Sequence, residues 1–391
     1  MVVHAYYPHT ETRVQRQAEA LVGAGFHVDV ICLRGDGEEP RETHRGVEIH
    51  RLPVRVDKRS LAWQFLSYLH FLVRASFHLT RLQMRERYDS IQVHNLPDFL
   101  VFCGLVPKLQ GVPVILDLHD LMPEFFSARF GRGSLRRPLG ALIRWQERVA
   151  CRFADHVITV SDHWRRALIQ RGVPPERCSV VMNVADDRIF RPIDRASNGS
   201  GLDLIYHGTL TERYGLDLAI RAIGIVRREI PDVRLTIMGS GDARPALLAL
   251  RTGLGLEGHV ELSERHVPEV DLPGVIARAD LAVVPYRDDL FTDAIVPTKL
   301  MEYAAIGMPC IAARTSGIQS YFRDAMVEFF TPGDVEDLAR CILLLGRDPA
   351  RREALARGSH RFTDRYNWGR LGKAYVDLVR TMSIARAGAP R

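Results

Sequence analysis

The sequence alternates regularly between short apolar runs and longer stretches with helical spacing. The first half contains the apolar runs VVHAYY, VDVICL, SIQV, VPVILDL and HVITV, and between them lie the helix-like segments Arg13 to Val22, Phe99 to Leu109 and Leu135 to Phe153. Such an alternation is typical of a parallel sheet, because each parallel strand must be joined to the next by a crossover. The chain is therefore predicted to have an α/β fold, with Ser161 capping the helix after HVITV.

The alternation is interrupted once and then restarts. Residues 190–202 include RPIDRASNGSG, a polar stretch without an apolar period that is typical of a linker. Beyond it lie DLIYHG, VRLTIMGSG, DLAVVPY, PCIAA and MVEFF, with helices expected from Gly215 and Pro297. With 391 residues, two cores are favoured over one, which predicts domains at 1–190 and 200–367. A final helix has no strand to follow, so segment 368–391 is expected to pack back on the first domain.

Composition narrows the class of protein. Apolar residues make up 46% and charged residues 26%, which excludes a disordered chain. The six cysteines form no Cys-x-x-Cys pair and the first residues lack a signal-peptide pattern, so a cytoplasmic location is expected. The net charge of +6 favours anionic ligands, but no nucleic-acid-binding signature accompanies it, and a nucleic-acid partner is not expected.

The segment from Leu61 to Leu82 is rich in aromatic and aliphatic residues. Arg74 and Arg81 interrupt it, which argues against a membrane span. Its helical spacing predicts a long helix buried on one face, with docking at a membrane surface as the alternative.

Ligands of open parallel sheets bind beyond the carboxyl ends of the strands, so two such sheets facing each other would form a cleft. The strand-to-helix turn YHGTLTERYG aims backbone N–H groups and a positive helix end at one point, which suits a phosphate. Gly208 permits close approach and Arg213 adds a positive charge. An ordinary strand-to-helix connection is the alternative interpretation.

The stretch IVPTKLMEYAAIGMPCIAA predicts a short helix that Pro297 begins and Gly307 ends. Glu302 lies about one turn into this helix, where its carboxylate can accept hydrogen bonds from paired sugar hydroxyls. A solvated helix glutamate is the alternative.

In VILDLHDLMPEFF an apolar strand ends in polar residues, which is expected at the ligand edge of a sheet. His119 is either a ligand contact or a core histidine. Asp117, His119 and Asp120 also suggest a metal site, but we discount it because alternating strand positions point to opposite faces. In GSGDAR, Arg244 takes the place of the third glycine of a dinucleotide fingerprint, which disfavours a dehydrogenase.

Together these stretches resemble the family 4 retaining glycosyltransferases (glycosyl transferases group 1) of the envelope-polysaccharide type, which have the GT-B fold of two facing Rossmann-like domains with a cleft between them. The resemblance rests on VHNLPDF, VILDLHD, ITVS, VVMN, HGTLTERYG, MGSG, ADLAVVP and PTKLMEYAAIGMPCIA. It implies transfer of a sugar from a UDP- or GDP-type nucleotide sugar to a glycan or lipid-linked acceptor, with retention of configuration and without a metal or other cofactor. A lipid-linked acceptor would place the enzyme at the inner face of the membrane.

The resemblance also implies roles for individual residues. Glu302 would contact the donor ribose, His119 the transferred sugar and Gly208 the diphosphate. Arg213 and Lys299 are expected to stabilise the leaving diphosphate. Further donor contacts are expected from Thr209, Tyr214, Gly239, Gly241, His266, Ala294, Ile295 and Val296, and acceptor-side contacts from His94, Asp120 and Glu124.

The chain departs from the family pattern in several places. Thr209 and Tyr214 stand where the family commonly has Arg and Lys, Ala294 stands where many members have a second glutamate, and the usual Gly-Gly loop near the N-terminus is absent. These departures leave two alternatives open: a nonhydrolysing nucleotide-sugar epimerase and a catalytically inactive sugar-nucleotide-binding subunit.

Overall fold

The computed structural model describes residues 1–8, 11–56, 60–129, 136–193, 201–263 and 267–387. The chain separates into two compact units, Met1–Asn183 with Gly369–Arg391, and Val184–Trp368. This division precedes the predicted boundary at 190–202. The reason is that the segment after Asn183 already packs with the second unit, where the Ile193 amide donates to the Ile306 carbonyl at 3.4 Å.

The first unit is built on a mostly parallel sheet. Its strands are β1 (Val28–Leu33), β2 (Arg41–His44), β3 (Val47–Leu52), β4 (Ile91–His94), β5 (Val114–Leu118), β6 (His156–Thr159) and β7 (Cys178–Val180). β4 to β7 are parallel neighbours in that order, β1 is parallel to β3, and β2 is antiparallel to β3. Val2 joins the two groups through parallel bridges to Ile31 and Val93. The predicted strand VVHAYY is thus reduced to the two bridges of Val2, because the chain bends at His4.

Helices connect these strands. They are α1 (Thr12–Gly23), α2 (Leu61–Glu86), α3 (Leu105–Leu109), α4 (Met122–Arg129), α5 (Arg136–Phe153) and α6 (Asp162–Gln170). The predicted helix from Phe99 to Leu109 is divided into a 3₁₀ segment, Asp98–Gly104, and α3. The Ser161 cap is confirmed, since its hydroxyl accepts from the Trp164 amide at 3.2 Å.

The long helix α2 is buried on one face, as predicted. Phe71, Ala75 and Leu79 are buried on that face, whereas Trp63 and Phe77 are exposed. No helix in the described part of the chain is both long and apolar enough to cross a bilayer.

The second unit contains a parallel sheet of six strands in the order β10-β9-β8-β11-β12-β13. They are β8 (Leu202–His207), β9 (Val233–Met238), β10 (Val260–Ser263), β11 (Leu281–Val284), β12 (Cys310–Ala313) and β13 (Glu328–Phe330). Because the chain moves outward from β8 to β10 and then returns to β11, the strand order reverses between β8 and β11. Ligands of such sheets bind at the carboxyl ends of the strands beside the reversal.

The helices of this unit are α7 (Leu216–Val226), α8 (Arg244–Gly253), α9 (Leu272–Ile276), α10 (Thr298–Ile306), α11 (Ser316–Gln319), α12 (Val335–Arg347) and α13 (Pro349–Arg365). The last helix, α14 (Trp368–Ala387), belongs to the first unit from Gly369 onward. There the Tyr375 hydroxyl donates to Gln92 on β4 at 2.6 Å.

Candidate active-site residues

Two glycine loops meet at the carboxyl ends of β8 and β9. Gly208 has a φ of 123°, and its amide donates to the Met238 carbonyl at 2.9 Å. A Cβ added to Gly239 would lie 1.9 Å from the Gly208 carbonyl oxygen, and one added to Gly241 would lie 2.1 Å from that of Leu210. Side chains at 239 and 241 would therefore force the two loops apart.

Lys299 brings a buried cation to the first of these loops. It lies in the first turn of α10, and a Cβ added to Gly208 would be 3.4 Å from its Nζ. This Nζ donates to the Tyr286 hydroxyl at 2.8 Å and lies 5.0–5.1 Å from the ring centroids of Tyr206, Tyr214 and Tyr286. Three tyrosine faces thus surround the ammonium group, which is a favourable arrangement for a cation.

The same burial changes the chemistry of the lysine. Desolvation lowers the pKa of Lys299 to about 8, with Glu302 acting in the opposite direction. Tyr214, which replaces a lysine of the family pattern, stacks on Tyr286 with ring centroids 4.4 Å apart. The Tyr214 ring thus lies beside the cation that α10 supplies.

Glu302 lies one turn beyond Lys299. Its Oε2 is 2.6 Å from Nε2 of His207, the last residue of β8, and Nδ1 of that ring is 2.9 Å from the Tyr303 hydroxyl. The Glu302 side chain is 17% exposed. His207 was not selected from the sequence, although it directly precedes Gly208, and it is the residue that holds this carboxylate in place.

Arg213 and Thr209 lie between β8 and α7. The Arg213 guanidinium carbon is 5.3 Å from the ring centroid of Phe291. The Thr209 carbonyl accepts from the Tyr206 hydroxyl at 2.9 Å. Arg213 is therefore stacked on the loop that precedes α10, and Thr209 is tied to the tyrosines around Lys299.

The loop at positions 294–296 is anchored by its neighbours. Asp293 accepts from the Ser316 amide at 2.7 Å through its side chain and from the Gly317 amide at 2.6 Å through its carbonyl. A Cβ on Gly317 would lie 2.6 Å from the Ile295 carbonyl oxygen. The carboxylate next to Ala294 is thus used to hold this loop against α11. The predicted contact His266 lies outside the described residues.

In the first unit, the ends of β4 and β5 bring three polar residues together. His94 and Asp117 are paired in register, and His119 follows β5. Nδ1 of His94 lies 3.1 Å from Nε2 of His119 and 3.3 Å from Oδ2 of Asp117. His94 and Asp117 are fully buried, whereas the His119 side chain is 19% exposed. The argument that alternation separates Asp117 from His119 is wrong, because positions two apart share a face.

These three residues have the atoms of a metal site. Their ligand atoms lie within 4.8 Å of one another, and they form the one such group found among the described residues. Asp117, however, is already bound by the Arg13 guanidinium, with Nε at 3.1 Å and Nη2 at 2.8 Å. A divalent ion would meet this positive charge with only one carboxylate as ligand, so the group fits a metal poorly.

The protonation states in this cluster follow from burial and charge. Burial raises the pKa of Asp117, but Arg13, His119 and His94 outweigh it and hold that pKa well below its usual value. Burial lowers the pKa of His94 to about 4. Burial also raises the pKa of Asp120, with His119 opposing. At neutral pH, Asp117 is therefore ionised and His94 is neutral.

Glu124 has different surroundings. It lies on α4, and its carboxylate pairs with Arg171, which also binds Glu147 at 2.9 Å. These contacts are those of an ion-pair cluster between helices, so its acceptor-side role stays a prediction without a supporting contact.

Comparison with known proteins identifies the domains. Residues 10–183 match the family described as glycosyl transferase 4-like domain, and residues 201–348 match glycosyl transferases group 1. The D-inositol 3-phosphate glycosyltransferase of Thermobispora bispora is 28% identical over 390 residues, which span 93% of this chain and 88% of that protein. None of these matches favours the epimerase alternative.

Solved structures show the same fold. Sucrose-phosphate synthase from Thermosynechococcus elongatus superposes with a TM-score of 0.77 at 18% identity, over 98% of each chain. Anabaena Alr3699/HepE in complex with UDP-glucose gives 0.70 at 17% identity, over 97% of this chain and 98% of that one. The predicted GT-B fold is thereby confirmed. By fold and by both domain matches, the chain belongs to the GT-B glycosyltransferases that join a glycosyl transferase 4-like domain to a glycosyl transferases group 1 domain.

Proposed function

We propose that the protein transfers a sugar from a UDP- or GDP-type nucleotide sugar to a glycan or lipid-linked acceptor, with retention of configuration and without a metal. The observation that carries this proposal is the buried Lys299 ammonium beside Gly208, at the carboxyl end of the strand where the sheet order reverses. The UDP-glucose complex of the similar Anabaena protein supports a nucleotide-sugar donor.

The diphosphate is assigned to the loop that begins at Gly208. Breaking the anomeric bond leaves extra negative charge on the nucleoside diphosphate, and preorganised cations in a dry site stabilise such charge most effectively. Lys299 supplies one cation from α10, Arg213 supplies a second from the loop, and the N-terminus of α7 after Gly215 adds a favourable dipole.

Glu302 is assigned to the donor ribose. An ionised carboxylate has about four lone-pair sites, so its bond to His207 leaves capacity for two hydroxyl groups. His119 is assigned to the transferred sugar and Asp120 to the acceptor side. His94, predicted as an acceptor contact, is fully buried and reaches the site only through His119.

The chemical step that we propose is the one that the family resemblance implies. The bond between the anomeric carbon and the leaving phosphate oxygen breaks, and the acceptor oxygen forms its bond on the same face of the sugar. The acceptor hydroxyl proton passes to the departing phosphate, so no protein base is needed. Because the acceptor attacks the face that the phosphate leaves, no protein nucleophile is needed either.

A donor screen tests this proposal. We expect one class among UDP-, GDP-, ADP- and dTDP-sugars to raise the melting temperature, because a ligand that binds only the folded protein stabilises it. Turnover should then require an acceptor, continue in EDTA and give a product with unchanged anomeric configuration by proton NMR. Donor conversion without acceptor would indicate an epimerase, and donor binding without turnover under any acceptor would indicate an inactive subunit.

We further propose that the protein works in the cytoplasm at an anionic membrane surface, where a lipid-linked acceptor would lie. On α5, Leu142 and Trp145 are exposed beside the exposed Arg144 and Arg148, and the Trp63 side chain on α2 is 51% exposed. Exposed aromatic and cationic side chains together favour anionic lipid. We expect sedimentation with anionic vesicles at low salt and its loss in Trp145→Ala with Leu142→Ala. Equal sedimentation with neutral vesicles would contradict the charge argument.

A further inference from the structure

We propose that His94 and Tyr375 are positioning residues that hold His119 as a single tautomer, with its Nε2 accepting a hydrogen bond and its Nδ1–H directed away from the cluster. This inference rests on the proposed function, in which His119 contacts the transferred sugar. It concerns residues of the first unit only, and two of them, His94 and Tyr375, are fully buried.

The position of the His94 proton decides which ring donates in the hydrogen bond between His94 and His119. His94 is neutral, so one ring nitrogen carries a proton, and its buried Nε2 has no hydrogen-bond partner. A buried N–H without an acceptor is rarer in proteins than an unpaired acceptor, which favours the proton on Nδ1. Nδ1 also faces Oδ2 of the ionised Asp117 at 3.3 Å, which attracts an N–H and repels a lone pair. Both arguments place the proton on Nδ1.

The tautomer of His119 follows from this. Nε2 of His119 lies 3.1 Å from Nδ1 of His94 and 3.7 Å from Oδ2 of Asp117, so the closer His94 N–H is assigned as its partner and Nε2 accepts that hydrogen bond. A neutral His119 then carries its own proton on Nδ1, whose nearest acidic neighbour is Oε2 of Glu11 at 3.9 Å. In this state the Nδ1–H can donate to a sugar hydroxyl, and Nε2 already accepts a hydrogen bond from His94. His119 is therefore assigned as a hydrogen-bond donor and not as a base.

The hydrogen bonds between His119 and His94 continue to the Asp117 carboxylate, which is held in a fixed position. It accepts from Arg13, from Gln17 Nε2 at 2.8 Å and from Gln92 Nε2 at 3.3 Å. Arg13 also donates to the Val181 carbonyl at 2.6 Å, which ties the ion pair to the end of the last strand of the sheet. Asp117 is thus held from several sides, and its Oδ2 is fixed opposite His94.

Tyr375 helps to hold the Gln92 amide in one orientation. Its hydroxyl donates to Gln92 Oε1 at 2.6 Å, while Gln92 Nε2 donates to Gln17 Oε1 at 2.7 Å and to Asp117. Without the hydroxyl, Oε1 loses its buried donor and the amide is held through Nε2 alone. The Gln92 contact that helps to fix Oδ2 of Asp117 opposite His94 is then weaker. Tyr375 on α14 is therefore connected to His119 through the side chains of Gln92, Asp117 and His94.

Nitrogen NMR of ¹⁵N-histidine-labelled protein tests the tautomers directly. The signals of the two rings are assigned with His94→Asn and His119→Asn, and in spectra recorded at about pH 7.5 we expect the proton on Nδ1 of each ring. Tyr375→Phe should shift the His119 signals toward the other tautomer. Tyr7→Phe is the matched control, because Tyr7 is equally buried and its hydroxyl has no partner. A His119 ring with its proton on Nε2, a cationic ring, or identical spectra in wild type and Tyr375→Phe would overturn the inference.

Kinetics with whichever nucleotide sugar the donor screen identifies provide the second readout. Tyr375→Phe should lower kcat about 3- to 10-fold, as expected for one lost hydrogen bond, and leave the donor KM unchanged. His94→Asn keeps an N–H donor near the Nδ1 position and should retain activity that His94→Leu loses. Equal losses in these two variants, or a change in KM alone, would contradict the positioning role. If no donor is turned over, the proposed function fails, while the NMR result still decides the tautomer.

Discussion

Replacement of Lys299 by methionine tests whether the buried ammonium binds the diphosphate. Methionine keeps an unbranched apolar side chain against the three tyrosine rings and removes the charge. A hydrogen bond to a charged group contributes on the order of 1.5–3 kcal/mol. We therefore expect the Kd for UDP or GDP to rise about 10- to 150-fold.

The same cation predicts a pH dependence of binding. Because burial lowers the pKa of Lys299 to about 8, the ammonium form is dominant below that pH and is lost above it. The charged form binds the anion, so affinity is full below the free-protein pKa and falls as the pH rises through it. From about pH 7 to about pH 9 the wild-type Kd should rise about tenfold, and Lys299→Met should not show this change.

Titration calorimetry with UDP and GDP at about pH 7, 8 and 9 measures both effects. Lys373→Met is the control, because Lys373 is exposed on α14 and belongs to the first unit. It should bind as the wild type does at each pH. The reasoning is refuted if Lys299→Met binds nucleotide as tightly as wild type, or if wild-type affinity is the same at the two ends of this range.

Three further predictions address other residues. Glu302→Gln should weaken donor binding by on the order of 1.5–3 kcal/mol, because a charged acceptor for ribose hydroxyls is lost. Calorimetry measures this loss, and unchanged affinity in a folded variant would exclude the ribose assignment. Arg213→Ala should reduce kcat more than donor affinity, because the phosphate charge grows in the transition state, whereas equal losses in steady-state kinetics and calorimetry would indicate plain ground-state binding. Asp98 is buried, and this raises the pKa of its carboxyl to about 7, with the Asn95 bond opposing. Between about pH 4.5 and 6.5 the unfolded chain has released this proton while the folded protein keeps it. As the pH rises through this range, the free energy of unfolding of the wild type should therefore fall by about 1.4 kcal/mol per pH unit relative to Asp98→Asn, measured by urea unfolding. Parallel curves of stability against pH for the two proteins would contradict this.

Local patterns in the sequence predicted most of the parallel strands, because a buried strand is a continuous apolar run. They did not predict β2, whose residues RETH are polar and largely exposed, or β10, in which VELS alternates apolar and polar residues. They also missed β3, where polar residues interrupt the largely buried run VEIHRL. The strand expected at VVHAYY failed for a different reason. Its apolar residues are largely buried, but its ladder to the sheet is confined to the two bridges of Val2.

The candidate site shows the same limit. Gly208 and Glu302 were found because each lies in a motif of consecutive residues. The partner of Glu302, His207, is 95 positions away, and Arg13 is 104 positions from Asp117. Pairing at such separations depends on strand order, which one sequence does not encode as a visible pattern. The sequence predicted that the last helix packs on the first domain. It did not predict the Tyr375 contact, because its partner Gln92 is also far away along the chain.

The placement of α14 also has a consequence for how the chain folds during synthesis. The buried Tyr375 must reach Gln92 across 283 positions, and between them lies the whole of the second unit. The ribosome therefore synthesises every part of the second unit before it makes the helix that completes the first. We therefore expect the N-terminal sheet to complete its packing around Gln92 only after α14 has been made, unlike a first domain whose residues are all consecutive.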